Sequence, residues 1–104
     1  MCKITLETPV DFLVFRDGGG GTVEIFDIAV GSERRQGRGR KLVDLLYANL
    51  PPGTKRVWAI TRADNFVAQQ FYEELRFRSV PLRDFYGEGG VDAIMYIRDL
   101  ESQA

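Results

Sequence analysis

The sequence predicts an α/β fold of the mixed (α+β) kind, a sheet covered by helices, and three observations point to it. β-Branched and aromatic stretches flank a run of four glycines, two segments repeat apolar residues at spacings of three and four, and a short apolar run separates those segments. In chain order this reads strands, helix, strand, helix, strands. With 104 residues, 44% of them hydrophobic and 12% aromatic, the composition is that of one folded domain, residues 1–104.

Each element has a local reason. Short strands are expected within residues 3–7 and 12–16. Gly18-Gly19-Gly20-Gly21, preceded by Asp17, would turn residues 11–16 back onto residues 22–30 as a hairpin. An anion-binding loop is the other reading of these glycines, but no helical pattern follows them. Residues 40–50 form a helix with Leu42, Leu45, Leu46 and Leu50 on its stripe, and Pro51-Pro52-Gly53 ends it. Residues 56–61 are apolar and short, as a buried strand is. Asp64 or Asn65 then caps a second helix, in which Val67, Phe71 and Leu75 share a face with Ala68 and Tyr72 beside it. The tail carries a turn at Gly87-Glu88-Gly89-Gly90 and a final strand over residues 93–97.

Composition excludes more chemistry than any motif adds. The chain has no histidine and one cysteine, Cys2. An internal disulfide is therefore impossible, and zinc sites of Cys and His and catalysis through Ser-His or Cys-His pairs are ruled out, so no metal is expected. Any general base must be a carboxylate, a tyrosine, a lysine or a chain of waters. A net charge of -1 argues against a nucleic-acid partner. No apolar stretch approaches the length of about 20 residues that crosses a bilayer, and the start lacks a basic segment followed by an apolar run, so a cytoplasmic location without a membrane partner is expected.

A strand that runs into a glycine-rich turn and then a helix is an anion site in waiting, because the first helical N–H groups lack partners and the helix dipole adds positive charge. Here the turn is Arg34-Arg35-Gln36-Gly37-Arg38-Gly39, with Arg40 and Lys41 following. A pyrophosphate suits it. The phosphate loop of nucleotide hydrolases needs a Lys-Ser or Lys-Thr after the last glycine, and the dinucleotide fingerprint needs a glycine where Leu42 stands, so both fail.

The run from Ile28-Ala29-Val30 through Gly37-Arg38-Gly39 to Leu42 resembles the acetyl-CoA motif of the GNAT superfamily of N-acetyltransferases, Arg/Gln-x-x-Gly-x-Gly/Ala between a strand and a helix. Downstream, Asn65-Phe66-Val67-Ala68-Gln69-Gln70-Phe71-Tyr72-Glu73-Glu74-Leu75-Arg76-Phe77 is similar to the family's Asn-x-x-Ala-x-x-Phe-Tyr-x-x-x-Gly-Phe stretch. The resemblance covers most of the chain from Val23 onward. It implies a mostly antiparallel sheet flanked by two main helices and a transfer of acetyl from acetyl-CoA to a primary amine, on a small molecule or a protein.

Site residues follow from the same resemblance. Arg34, Arg35, Gln36, Gly37, Arg38, Gly39 and Arg40 would hold the pyrophosphate. Ile28, Ala29 and Val30 would pair with the pantetheine arm through their backbone, and Asn65 and Phe71 would line the cofactor. Tyr72 matches the tyrosine that protonates the departing thiolate; its other reading is a core aromatic. Glu24, six residues before Val30, stands where some members place a glutamate base, and plain alternation puts Asp27 on the opposite face unless a bulge intervenes. A water-relayed path is the alternative. Tyr86, in a stretch similar to the closing hairpin of acetyltransferases acting on protein N-termini, is a candidate acceptor contact.

Two departures stand out. Arg76 occupies the place of the family's glycine at the end of the second helix, where a left-handed residue would be strained. The two helices that usually precede the third strand and wall the acceptor site have no counterpart, which predicts an open groove and dimerisation. A non-catalytic acyl-CoA-binding module, or a structural domain whose arginine turn serves an acidic partner, are the competing readings.

Overall fold

A computed structural model describes residues 1–6, 11–30, 37–87 and 90–100. The strands are β1 (Cys2–Thr5), β2 (Phe12–Gly19), β3 (Thr22–Ala29), β4 (Arg56–Arg62), β5 (Arg78–Leu82) and β6 (Ala93–Asp99), with helices α1 (Arg38–Ala48) and α2 (Phe66–Glu74). They build one six-stranded sheet in the order β1-β2-β3-β4-β6-β5. All neighbours run antiparallel except β3 and β4.

The glycine run closes the β2–β3 hairpin, as expected. Gly19, Gly20 and Gly21 all have positive φ (81°, 59° and 81°), a region that side chains disfavour. The Gly21 carbonyl accepts from Lys55 N at 2.6 Å, which ties the hairpin tip to the start of β4.

Both helices lie on one face of the sheet. Leu42, Val43 and Leu46 of α1 and Tyr72 of α2 join Leu13, Phe15, Val23, Ile25, Val57, Ala59, Phe77 and Tyr96 in one core cluster. The expected α1 stripe is rotated slightly: Val43 is buried and Leu45 faces out, because the side that meets the sheet is set by packing and not by the leucine spacing. In α2, Val67 is exposed at 59%, while Phe71 and Leu75 are half-buried and Tyr72 sits at the centre. The aromatic ring, not the valine, is what reaches the sheet.

β5 has no counterpart among the expected strands. Pro81 and two charged or polar residues at its start hide the pattern, and its pairing with β6 alone makes it an edge strand where proline is tolerated. The last helical turn of α2 settles the question of Arg76. It adopts φ 66° and still closes the helix, with Arg76 N donating to Glu73 O and Phe77 N to Tyr72 O, both at 3.0 Å. That is the double bond pattern of a Schellman cap, and the Phe77 and Tyr72 rings meet 5.2 Å apart across it. Arginine therefore takes the glycine's conformation rather than altering the helix end.

Candidate functional site: a split between β3 and β4

β3 and β4 pair over only three residues, 22–24 with 56–58. Beyond that point each strand has a partner on its outer side and, among the described residues, none on the side facing the other. Where parallel strands part in this way, every second residue of β3 turns its N–H and C=O toward the split, where an extended ligand can pair with them. The half-buried Ile28, Ala29 and Val30 stand along that edge.

At the head of the chain's first helix, Gly37 takes φ 68° and caps α1 without any side-chain bond. The amides of the first turn thus keep their donors, and exposed Arg40 adds charge beside them. Arg34, Arg35 and Gln36 lie outside the described residues. Arg38 has a partner inside the protein: its Nη1 donates to Oδ2 of Asp11 at 3.1 Å, and Asp11 is buried. Asp11 carries no sequence signal as a site residue, since its partner is 27 positions away.

The two sequence motifs meet through Gly39 and Phe71. A Cβ on Gly39 would sit 2.7 Å from Cε1 of Phe71, so α1 can approach α2 only because residue 39 has no side chain. Phe71 in turn meets Tyr72 edge-on at 5.2 Å, and Tyr72 stacks on Tyr96 at 5.3 Å. Asn65 acts as the expected N-cap, its Oδ1 accepting from Ala68 N at 3.1 Å.

Tyr72 is 3% exposed. Burial pushes its hydroxyl well above the ordinary tyrosine pKa, and the negative charge of Asp27 adds to the rise. A phenol in such surroundings keeps its proton throughout the physiological range and can donate it. The same Coulombic coupling places Asp27 within electrostatic reach of that hydroxyl.

Asp27 gets there by a bulge. Val14 pairs with Asp27 and Phe15 with Ile25, so Phe26 is an extra residue in β3. Glu24 opposes Arg16 and Asp27 opposes Val14, and Arg16 and Val14 share a face of β2. Glu24 and Asp27 are therefore on the same, helix-free face, against plain alternation. Glu24 is engaged: its Oε1 accepts from Arg16 Nε at 2.6 Å, and the Arg16 guanidinium lies 4.7 Å over the Phe26 ring. A ligand reaches Glu24 only if that pair opens. Asp27 is exposed and has no ion-pair partner among the described residues.

Tyr86 lies at the far end of β4. Its ring is 5.6 Å from the guanidinium of Arg62, which Asp64 holds through two bonds of 3.1 Å, and Phe85 packs edge-on at 5.0 Å. A surface hollow of about 430 Å³ lies elsewhere, along Phe66, Gln69, Gln70, Glu73 and Glu74 of α2. It is formed by successive turns of one helix and touches none of these groups. Among the described residues no cluster of three metal-ligating side chains occurs, and no helix is long and apolar enough to cross a membrane.

Residues 4–77 match the acetyltransferase (GNAT) family model. The chain belongs to this family. No curated protein sequence matches it. Among solved structures, the ribosomal-protein-S18-alanine N-acetyltransferase from Escherichia coli is 28% identical, with TM-score 0.73 over 91% of this chain and 64% of that one. Ard1 from Thermoplasma volcanium is 25% identical, with TM-score 0.75 over 89% of this chain and 64% of that one. A GNAT acetyltransferase from Elizabethkingia anophelis with acetyl-CoA bound shares the fold at 21% identity, TM-score 0.74, over 88% and 69% of the two chains. The present GNAT chain thus spans less than two thirds of the length of the first two. The family's mixed sheet and two helices are the architecture described above.

Proposed function

We propose that this GNAT chain binds acetyl-CoA in the β3–β4 split and transfers its acetyl group to a primary amine. The observation that carries the reading is the placement of Tyr72, a buried and proton-retaining hydroxyl, beside the split and linked through Phe71 and Gly39 to the uncapped end of α1. The free edges of two strands and the open amides of a helix suit a long amide-bearing arm ending in a pyrophosphate.

Acetyl-CoA supplies an acetyl group activated on sulfur. The α1 amides, Gly37 and Arg40 hold the pyrophosphate, together with Arg34, Arg35 and Gln36. Arg38 acts mainly through its bond to Asp11, which seats the turn. The backbone of Ile28, Ala29 and Val30 aligns the arm, with Asn65 and Phe71 flanking it. As the amine nitrogen bonds to the acetyl carbon and the C–S bond breaks, Tyr72 gives its proton to the sulfur. Asp27, without an ion-pair partner among the described residues, accepts the amine's proton directly or through water, and Glu24 assists from the same face.

The acceptor is an amine on a protein, at an N-terminus or a lysine. The Escherichia coli neighbour's own name assigns it a protein alanine, and Tyr86 beside Arg62 offers an aromatic wall at that end of the split. A second copy closing the open flank of the acceptor groove would make a homodimer; light scattering at a monomer mass removes that part. The ion pair of Glu24 with Arg16 favours a second reading, a binding module without turnover.

Thiol release from acetyl-CoA over a panel of amines and N-terminal peptides tests the proposal. Tyr72→Phe keeps the ring packing and should lower turnover about 100-fold or more, with CoA affinity within twofold. Asp27→Asn should lower turnover more than Glu24→Gln does. Equal turnover by wild type and Tyr72→Phe refutes the catalytic role; tight CoA binding with no turnover on any amine supports the module.

A further inference from the structure

Thr61 is a buried polar residue that none of the roles above uses. It is 8% exposed, and its Oγ1 has no hydrogen-bond partner among the described residues. A buried hydroxyl without a partner is uncommon in native proteins, since valine would fill nearly the same space without the desolvation cost. The location gives a reason for it. Thr61 belongs to the part of β4 that β3 has left, three residues beyond the last β3–β4 pair at Trp58.

Its orientation follows from the pairing. Thr61 opposes Ile94 and Ala59 opposes Tyr96, so Thr61, Ala59 and Tyr96 face the helices together. Ala59 and Tyr96 are in the core cluster, and Tyr96 carries the stacked ring of Tyr72. Two residues along a strand span about 6.6 Å, so Thr61 stands one step from the floor beneath Tyr72, toward the open end of the split. A hydroxyl there offers one donor and two acceptor positions to whatever enters.

We propose that the Thr61 hydroxyl hydrogen-bonds an amide of the pantetheine arm of the acyl-CoA. This rests on the cofactor reading above and extends it to a residue of β4. The arm carries two secondary amides in a narrow chain, and either end of an amide satisfies the hydroxyl. The bond forms only when the arm is seated, so Thr61 costs stability in the free protein and returns it as affinity.

Thr61→Val removes the hydroxyl at nearly constant shape. Three measurements on the full chain decide the matter: the melting temperature without ligand, the CoA dissociation constant by calorimetry, and that of 3′,5′-ADP, which has no pantetheine. The variant should melt at or above the wild type, bind CoA about five- to tenfold more weakly, and bind 3′,5′-ADP within twofold. Thr61→Ser, which keeps the hydroxyl, should bind CoA within about threefold of wild type. Unchanged CoA affinity in Thr61→Val overturns the proposal, as does an equal loss for 3′,5′-ADP, or a lower melting temperature that reveals an internal partner. Wild-type protein that fails to bind CoA refutes the cofactor reading and this proposal with it; wild-type binding unaffected by Thr61→Val refutes this proposal alone.

Discussion

Replacing Arg38 by methionine tests what holds the start of α1 against the sheet. Asp11 is 1% exposed at the start of β2, and the Arg38 side chain, 19% exposed, reaches it from the first position of α1. Removing one partner of a buried ion pair takes a compensating charge from the one that remains, at a cost of up to about 3–5 kcal/mol. The residual exposure of Arg38 admits some water, so the lower end, about 3 kcal/mol, is the expected loss. Unfolding entropy of about 2.1 cal/mol/K per residue converts that to a fall in melting temperature of about 14 °C for this length. In the double variant Arg38→Met with Asp11→Asn the buried charge is gone too, and at least half of the loss should return. Thermal melts of the four proteins at pH 7 supply the cycle. A fall of less than about 4 °C for Arg38→Met, or a double variant no more stable than that single one, would refute the reasoning.

Two further outcomes follow from the geometry. Arg76→Gly should stabilise the protein, because φ 66° disfavours a side chain by more than glycine's added freedom in the unfolded chain; the net gain is about 0.5–1 kcal/mol, and a lower melting temperature would contradict it. Alkaline pH should destabilise the fold through Tyr72 and Tyr96. Burial first, then the hydrogen bond and charge of Glu73, push the Tyr96 pKa up to about 12, and Tyr72 is raised by burial and Asp27. Unfolded tyrosines lose their protons near pH 10 while these two keep theirs, so the stabilisation is complete below pH 10 and declines as pH rises toward 12. Denaturant titrations from pH 9 to 11.5 should show this decline, with a shallower slope in Tyr96→Phe; an equal slope in that variant removes Tyr96 from the account.

Much of the fold was legible because its signals are local. The glycine run needed positive φ, Asn65 needed only its own side chain to cap α2, and the proline pair ended α1. Of the two GNAT-like motifs, Gly39 of the first meets Phe71 of the second, and Phe71 packs on Tyr72. β5 escaped because one edge strand with a proline and few apolar residues lacks a period. The α1 stripe and the placement of Val67 shifted because burial depends on where a helix meets the sheet, and periodicity leaves that angle open.

By itself the sequence determined which chemistry was available: with no histidine, a carboxylate, a tyrosine, a lysine or water had to carry any proton, and two short motifs resembled those of an acetyltransferase family. Tertiary structure alone decided how those groups stand. A bulge at Phe26 turned Asp27 onto the face of Glu24, Arg16 occupied Glu24, and Asp11 claimed Arg38 from 27 positions away. Gly39 proved to serve a helix contact, and Thr61 was left with a hydroxyl beside the split. Each depends on strand register or on residues distant in the chain. Caps, turns and spacing are set by a residue and its immediate neighbours, whereas charge pairing and side-chain direction are set by whichever strand or helix lies across from it.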